Sequence, residues 1–223
     1  MHVLAIETSI QPGSIALLRG DMLLQHVQLD HQQRTTQSLI PAIKQMLAQN
    51  NVSPPEVDVI AVSEGPGSFT GLRIGMTVAK TFAFVTQART VAVNTMDVIA
   101  AGCQLTSAHC SVVMDAQRKQ LFTALYEVDS QQIRRISEVS ICSIEDWLAS
   151  LTLNHSVTGP GLERLAGRLP ANCTVAAAEN WEPSAVALGQ LGLQQVASSQ
   201  TDDFWKMVPN YYRKSAAEEK AGL

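Results

Sequence analysis

Residues 57–84, VDVIAVSEGPGSFTGLRIGMTVAKTFAF, decide the fold of this chain. An apolar, β-rich run over 57–62 leads into a loop that contains Gly65 and Gly67, and a helix-like stretch begins near Thr70. The order strand, glycine loop, helix is typical of a backbone that approaches another group closely, either a phosphate or a second helix. The choice between these two interpretations bears directly on function.

The loop does not match the known phosphate-binding motifs. A dinucleotide fingerprint would need glycine where Thr70 stands, and no Gly-Lys-Ser/Thr sequence follows to make a P-loop. Ser68 lacks the glycine two residues later that a nucleophile elbow requires. Nucleotide binding at this loop is therefore disfavoured.

The predicted helix over 70–85 favours close packing instead. Gly71, Gly75, Ala79 and Ala83 recur every four residues and form a stripe of small side chains, which permits another backbone to pack closely. Most of the remaining circumference is apolar, so we expect burial on more than one side. A predicted helix over 35–49 of the same chain is one candidate cover, and a second protein is the other.

If a second protein is the cover, the two helices present apolar residues to a partner. Replacing Leu72 or Met76 by a charge is then expected to abolish association and to leave the circular dichroism unchanged. The side chains predicted to form this interface are Leu39, Ile43, Met46, Leu72, Gly75, Met76 and Ala79.

The rest of the chain alternates between strand and helix patterns, which predicts an α/β fold of two lobes with mixed sheets flanked by helices. We expect a first lobe over 1–105 and a second over 106–223, with the tail packing back on the first lobe. Pro41 inside the first helix predicts a late start or a bend. The predicted strands cover 3–7, 13–18, 22–29, 57–62, 90–93, 111–114 and 120–126, and the predicted helices cover 35–49, 70–85, 95–105, 143–151, 162–168 and 183–197.

Both lobes begin with a strand followed by an acidic turn, Glu7-Thr8-Ser9 and Asp115-Ala116-Gln117. In sugar kinases, actin and heat-shock ATPases, paired loops of this kind hold ATP phosphates and magnesium. Neither turn here contains the glycine that lets backbone amides reach a phosphate. The sequence thus predicts an ATPase-like architecture without the phosphate-binding elements, and Gly159-Pro160-Gly161 alone is weak evidence for adenosine contact.

Composition narrows the function classes. The formal net charge is −4 and aromatic residues make up 5% of the chain, which disfavours direct nucleic-acid binding. The four cysteines and five histidines show no zinc-ligand spacing, so buried, reduced thiols are expected. No signal peptide or membrane-spanning segment is evident, and we expect a cytoplasmic protein.

The chain closely resembles the TsaB (YeaZ) family along almost its whole length. GPGSFTGLRIG at 65–75 matches the family's specific signature, and VLAIETS, TQSLIPAI and MDAQRKQLFTALY resemble its other motifs in order. The tail sequence VPNYYR is similar to the family's P-x-Y-L-R pattern. The chain departs from the pattern at Thr35, where histidine is common, at Gln117 in place of arginine, and at Tyr212 in place of leucine.

This resemblance implies the fold of actin and heat-shock ATPases with a degenerate nucleotide site. It implies a non-catalytic subunit in the synthesis of threonylcarbamoyladenosine at position 37 of tRNA, without an active site or a bound cofactor or metal of its own. The partners implied are a TsaD-type catalytic paralogue and a TsaE-type ATPase, with ATP used by the partners, tRNA reached only through the complex, and no membrane contact. The first two helices would form the interface and would support a homodimer when the paralogue is absent. The alternative is an autonomous ATPase or hydrolase of the same fold.

Overall fold

A computed structural model describes residues 1–103, 108–129, 132–151, 155–165, 167–171 and 173–213 of the chain. The chain forms two compact units, and the first combines Met1–Thr95 with Ser184–Leu223 while the second comprises Met96–Pro183. This division differs from the predicted lobes over 1–105 and 106–223, whose boundary falls among residues 104–107, outside the described part.

The elements follow the predicted order closely. The helices are α1 (Thr35–Gln49), α2 (Phe69–Thr86), α3 (Thr95–Ala101), α4 (Ile144–Ser150) and α5 (Ala185–Ala197). The strands of the first unit are β1 (His2–Glu7), β2 (Ser14–Arg19), β3 (Met22–Gln28), β4 (Val57–Gly65) and β5 (Arg89–Asn94). Those of the second unit are β6 (His109–Asp115), β7 (Gln120–Asp129), β8 (Gln132–Arg135), β9 (Ser140–Ser143), β10 (His155–Thr158) and β11 (Thr174–Val175).

The first unit is a five-stranded mixed sheet with helices on both faces. Its strand order is β3-β2-β1-β4-β5, with antiparallel pairing among β1, β2 and β3 and parallel pairing among β1, β4 and β5. Side chains alternate along a strand, so Leu4 and Ile6 of β1 join the core under α1 and α2. Ala5 faces α5, where Gly189 approaches so closely that an added Cβ would lie 3.3 Å from the Cβ of Ala5.

Helix α5 is the reason that the chain returns to the first unit. Its buried residues include Leu188, Gly189 and Gly192, and the helix packs across β1, β2, β4 and β5. An added Cβ on Gly192 would lie 2.7 Å from the Cβ of Ala61 on β4, so the small residues of α5 permit close packing on the sheet. The predicted second lobe over 106–223 includes this helix, because the helix follows that lobe in the chain.

Helix α1 begins at Thr35 rather than after Pro41. Pro41 is the seventh residue of α1 and lies on its exposed side. The proline removes one backbone N–H from the helix. Gln37, four residues earlier, is also exposed, so the carbonyl that would have accepted this N–H is open to water. The helix therefore continues through Pro41, and the predicted late start is wrong.

The second unit has a sheet of order β11-β10-β6-β7-β8, and β9 pairs separately with β7. Its core contains Val113, Leu121 and Trp147, and the Trp147 indole N–H donates to Ser111 Oγ at 2.9 Å. The predicted helix over 162–168 is a 3₁₀ segment at Pro160–Leu165. Strands β8, β9, β10 and β11 were not predicted, because each is only two to four residues long.

The four cysteines all lie in the second unit and are free of disulfides. Cys103 and Cys110 are buried as predicted, whereas Cys142 and Cys173 are only partly buried. Burial raises the pKa of Cys110 to about 12, so its thiol is protonated and unreactive at neutral pH. Among the described residues, no helix is both long enough and apolar enough to cross a lipid bilayer.

Candidate functional site

The glycine loop turns directly into α2 and is held by the turn after β1. Ser68 is the N-cap of α2, and its Oγ accepts a hydrogen bond from the Gly71 N–H at 3.2 Å. The Ser68 backbone N–H donates to the Ser9 carbonyl at 2.6 Å. An added Cβ on Gly67 would lie 2.7 Å from the Cβ of Ser9. The glycines therefore serve close packing of the loop on the chain's own backbone.

The acidic turn after β1 is covered by α2. Thr8 Oγ1 donates to the Gly71 carbonyl at 2.9 Å, and the Thr8 backbone lies where a Cβ on Gly71 would be. The side chains of Glu7, Thr8 and Ser9 are at most 2% exposed. A nucleotide phosphate at this turn would have to displace the first two turns of α2.

The Glu7 carboxylate is already occupied within the first unit. One oxygen accepts the Ser9 N–H at 2.6 Å and the other is hydrogen-bonded to Ser63 Oγ. Burial raises the pKa of Glu7, and the hydrogen bonds from Ser63 and Ser9 offset part of this effect. A carboxyl with a raised pKa and two internal partners is poorly suited to bind magnesium.

The second acidic turn is occupied as well. Asp115, at the end of β6, forms an ion pair with Arg164 at 2.8 Å and accepts the Gln117 N–H at 2.9 Å. Among the residues that the structure describes, no three histidine, cysteine or acidic side chains form a metal-binding group.

The seven side chains predicted to contact a partner lie in the core of the first unit. Leu39, Ile43, Met46, Leu72, Met76 and Ala79 are at most 4% exposed, and Gly75 is buried as well. The small-residue stripe does permit close packing, but the backbone that it meets is the chain's own. An added Cβ on Gly75 would overlap Thr8 Oγ1. The predicted test with charges at Leu72 or Met76 would therefore unfold the unit rather than probe an interface.

The surface that α2 does expose is different. Its outer face consists of Thr70, Thr77 and Thr81, which are exposed. Val85 is 73% exposed and continues this face at the end of the helix. On the flank beside this face, Ile74, Val78 and Phe82 are half-buried against the core that α1 shares. Small polar residues beside a partly exposed apolar flank form a surface on which another helix can pack closely. We call these residues, Thr70, Ile74, Thr77, Val78, Thr81, Phe82 and Val85, the α2 outer surface.

The opposite flank of α2 is covered by residues 202–212, which we call the C-terminal strap. Lys80 Nζ donates to the carbonyls of Met207 at 3.0 Å and Trp205 at 3.3 Å. Near the start of α2, the Tyr211 ring stacks on Phe69 with centroids 4.7 Å apart. Arg73 donates to Tyr211 Oη at 2.7 Å.

The strap is fixed at both of its ends. Asp202 forms a bridge with Thr90 at the edge of β5, and its carboxylate accepts the Ala92 N–H at 2.7 Å. At the other end, the Asn210 N–H donates to the Glu64 carbonyl at 2.7 Å, and Tyr212 Oη accepts from Asn94 Nδ2 at 2.7 Å. The sequence predicts that the tail packs back on the first lobe, and the VPNYYR motif is a signal for such packing, but these individual contacts were not predicted.

Comparisons with known proteins agree with this geometry. A family model described as "TsaD: tRNA N6-adenosine threonylcarbamoyltransferase" matches residues 30–221. The "tRNA threonylcarbamoyladenosine biosynthesis protein TsaB" of Bacillus subtilis is 29% identical over 99% of this chain and 97% of its own length. The chain belongs to the TsaD family and, within it, to the TsaB (YeaZ) group.

Two further comparisons cover the TsaB group. The TsaB protein of Escherichia coli is 29% identical over 60% of this chain and 58% of its own length. The solved structure of "YeaZ from Pseudomonas aeruginosa" superposes with a TM-score of 0.78 at 22% identity, covering 94% of this chain and 99% of that one. This superposition and the family match confirm the predicted fold, which the resemblance to the TsaB family implies and which is related to that of actin and heat-shock ATPases.

One position of the TsaB signature and one of the C-terminal VPNYYR motif have a structural role in this chain. Gly65 has a φ of +122°, and an added Cβ would lie 2.6 Å from the Asn210 carbonyl of the strap. Tyr212, which replaces the leucine usual in the family, adds the hydrogen bond to Asn94. The signature loop and the C-terminal motif, which are far apart in sequence, therefore meet at the start of α2.

Proposed function

We propose that this chain is a non-catalytic subunit for the synthesis of threonylcarbamoyladenosine in tRNA, and that it supports a TsaD-type catalytic paralogue through the α2 outer surface. The full-length similarity to a protein named for this biosynthesis supports the pathway. The non-catalytic role is supported by the turn after β1, which is covered. Helix α2 lies on Thr8, and the Glu7 carboxylate is hydrogen-bonded to Ser9 and Ser63.

The α2 outer surface supports the choice of interface. The solvent-facing residues of α2 combine small threonines with Val85 and a half-buried apolar flank, and on α1 Ile40 is 60% exposed. Apolar side chains with high exposure beside small polar ones are typical of surfaces that associate. We include a TsaE-type ATPase as a second partner, with ATP used by the partners and tRNA bound by the assembly. We place the protein in the cytoplasm, with a homodimer through the same face when the paralogue is absent.

Reconstitution tests this proposal. A tRNA transcript is incubated with threonine, bicarbonate, ATP and purified TsaC-, TsaD- and TsaE-type proteins, with and without this chain, and the modified adenosine is quantified. The proposal predicts modification only when the chain is present. Equal modification without the chain would contradict it.

Calorimetry separates the proposal from an autonomous ATPase. Titration of Mg-ATP into the isolated chain is expected to give no heat of binding, because the turn after β1 is closed by α2. Micromolar binding with hydrolysis by the chain alone would favour the alternative.

A further inference from the structure

The strap and the α2 outer surface lie on different sides of the same helix. The residues that contact the strap, Phe69, Arg73, Lys80 and Phe84, recur at helical spacing along one flank. Ile74, Val78 and Phe82 follow the same spacing on the other flank. The strap therefore leaves the α2 outer surface exposed, and a partner can contact that surface without displacing the strap.

The strap has no regular secondary structure of its own between Met207 and Tyr211, so its position depends on anchors. Met207 is its buried side chain and lies in the core under α1 and α2. The Lys80 ammonium donates to the carbonyl groups of Trp205 and Met207, and hydrogen bonds from a charged donor are stronger than neutral ones. Lys80 therefore fastens the middle of the strap to α2.

The two ends of α2 are held by aromatic contacts with the same segment. Arg73 lies over the Phe69 ring at 3.9 Å, and the ring stacks on Tyr211. At the C-terminal end, Phe84 meets Trp205 with centroids 5.4 Å apart. Because these contacts span α2 from its first residue to its sixteenth, the strap fixes the position of the whole helix.

We propose that the C-terminal strap is a positioning element for partner binding: it holds α2 so that its outer surface meets the catalytic paralogue, with Lys80 and Tyr211 as positioning residues. This inference rests on the proposed function. It assigns a role to the VPNYYR motif. Neither the covered turn after β1 nor the α2 outer surface explains that motif.

The test measures binding between the full-length chain and its TsaD-type paralogue by isothermal titration at 20 °C. Lys80→Met removes both hydrogen bonds to the strap and keeps the aliphatic side chain. Tyr211→Ala removes the ring at the opposite end and leaves the sequence of α2 intact. Lys206→Met is the matched control, because Lys206 lies on the strap, is 86% exposed and pairs only locally with Asp203.

We expect the Kd to rise at least fivefold for Lys80→Met and for Tyr211→Ala, and to stay within twofold for Lys206→Met. Hydrogen exchange of the α2 amides is expected to accelerate in the first two variants, while thermal melting shows that both remain folded at 20 °C. A purely structural role would lower the melting temperature without changing the Kd of the folded protein.

Two outcomes overturn the inference, and they are distinguishable. An unchanged Kd in both variants, with faster exchange in α2, shows that strap position does not govern binding, and the proposed function then stands. A wild-type chain that does not bind the paralogue at all overturns the proposed function and the inference together.

Discussion

Replacing Gly75 by alanine tests whether the small-residue stripe of α2 serves the chain's own sheet. The new methyl group would overlap Thr8 Oγ1, which donates to the Gly71 carbonyl. Overpacking of a tight core costs about 1–3 kcal/mol, and loss of the Thr8 hydrogen bond costs about 0.5–1.5 kcal/mol. Alanine recovers about 1 kcal/mol through helix propensity. The expected loss in the free energy of unfolding is therefore about 1–3 kcal/mol.

A second substitution makes the prediction specific. In Thr8→Ala the hydroxyl is absent, and the added Cβ at position 75 then meets the Cβ of residue 8 at 3.4 Å and the Ile6 Cγ2 at 3.6 Å, which are ordinary contact distances. We expect Thr8→Ala alone to cost about 0.5–1.5 kcal/mol, and the double variant to be no less stable than Thr8→Ala. Urea denaturation followed by circular dichroism measures all four proteins, and the expected coupling is about 1–3 kcal/mol. If the losses in the free energy of unfolding are additive, Thr8 and Gly75 do not interact as described. If Gly75→Ala leaves stability unchanged and instead weakens partner binding, the small-residue stripe does not serve the chain's own sheet.

The remaining predictions concern the pH dependence, the outer surface and the second unit. Because burial raises the folded-state pKa of Glu7, the contribution of its carboxyl to stability is full below about pH 4.5 and is lost as the pH rises through the folded pKa. Glu7→Gln should therefore gain stability relative to wild type between pH 4.5 and 7.5, by about 1.4 kcal/mol for each tenfold decrease in the acid dissociation constant of the carboxyl on folding. A difference in stability between variant and wild type that stays constant over this pH range in urea titrations would count against this. Thr81→Arg places a charge on the α2 outer surface and should abolish binding to the paralogue with less than about 0.5 kcal/mol change in stability; retained affinity would exclude this face. Trp147→Phe removes the indole N–H that donates to Ser111 and leaves a cavity, so the free energy of unfolding, followed by thermal melting, should fall by about 1–3 kcal/mol. An unchanged melting temperature would show that neither the hydrogen bond nor the packing of the indole stabilises the second unit.

The sequence predicted most of the elements because hydrophobic periodicity and turn residues are local signals. The limits of α1 and α2 agree with the predicted helices over 35–49 and 70–85 to within one residue. The weakest predictions concerned contacts between distant residues. The prediction that the stripe of Gly71 and Gly75 permits close packing is confirmed, but a single sequence does not specify that Thr8 lies against it.

The same limit explains the predicted interface residues and the domain boundary. A helix that is apolar nearly all round shows no polar stripe from which its solvent-exposed side can be recognised. The sequence therefore predicts a partner contact for Leu72 and Met76, which are buried in the chain's own core. Helix α5 was placed in the second lobe because sequence order alone does not show that a chain returns to an earlier sheet. The individual contacts of the strap were not predicted for a further reason: the strap is held by carbonyl groups, single aromatic contacts and one buried methionine, none of which gives a periodic pattern.

We propose that this chain supports threonylcarbamoyl transfer without binding a nucleotide through its own two acidic turns. The most direct measurement is the rate of tRNA modification in the reconstituted system with the double variant Glu7→Gln/Asp115→Asn in place of the wild-type chain. Both substitutions keep the size of the side chain and remove the charge that a magnesium ion would need. We predict a rate within twofold of wild type, against a background near zero without the chain. A double variant that still binds the paralogue but loses modification would contradict the claim.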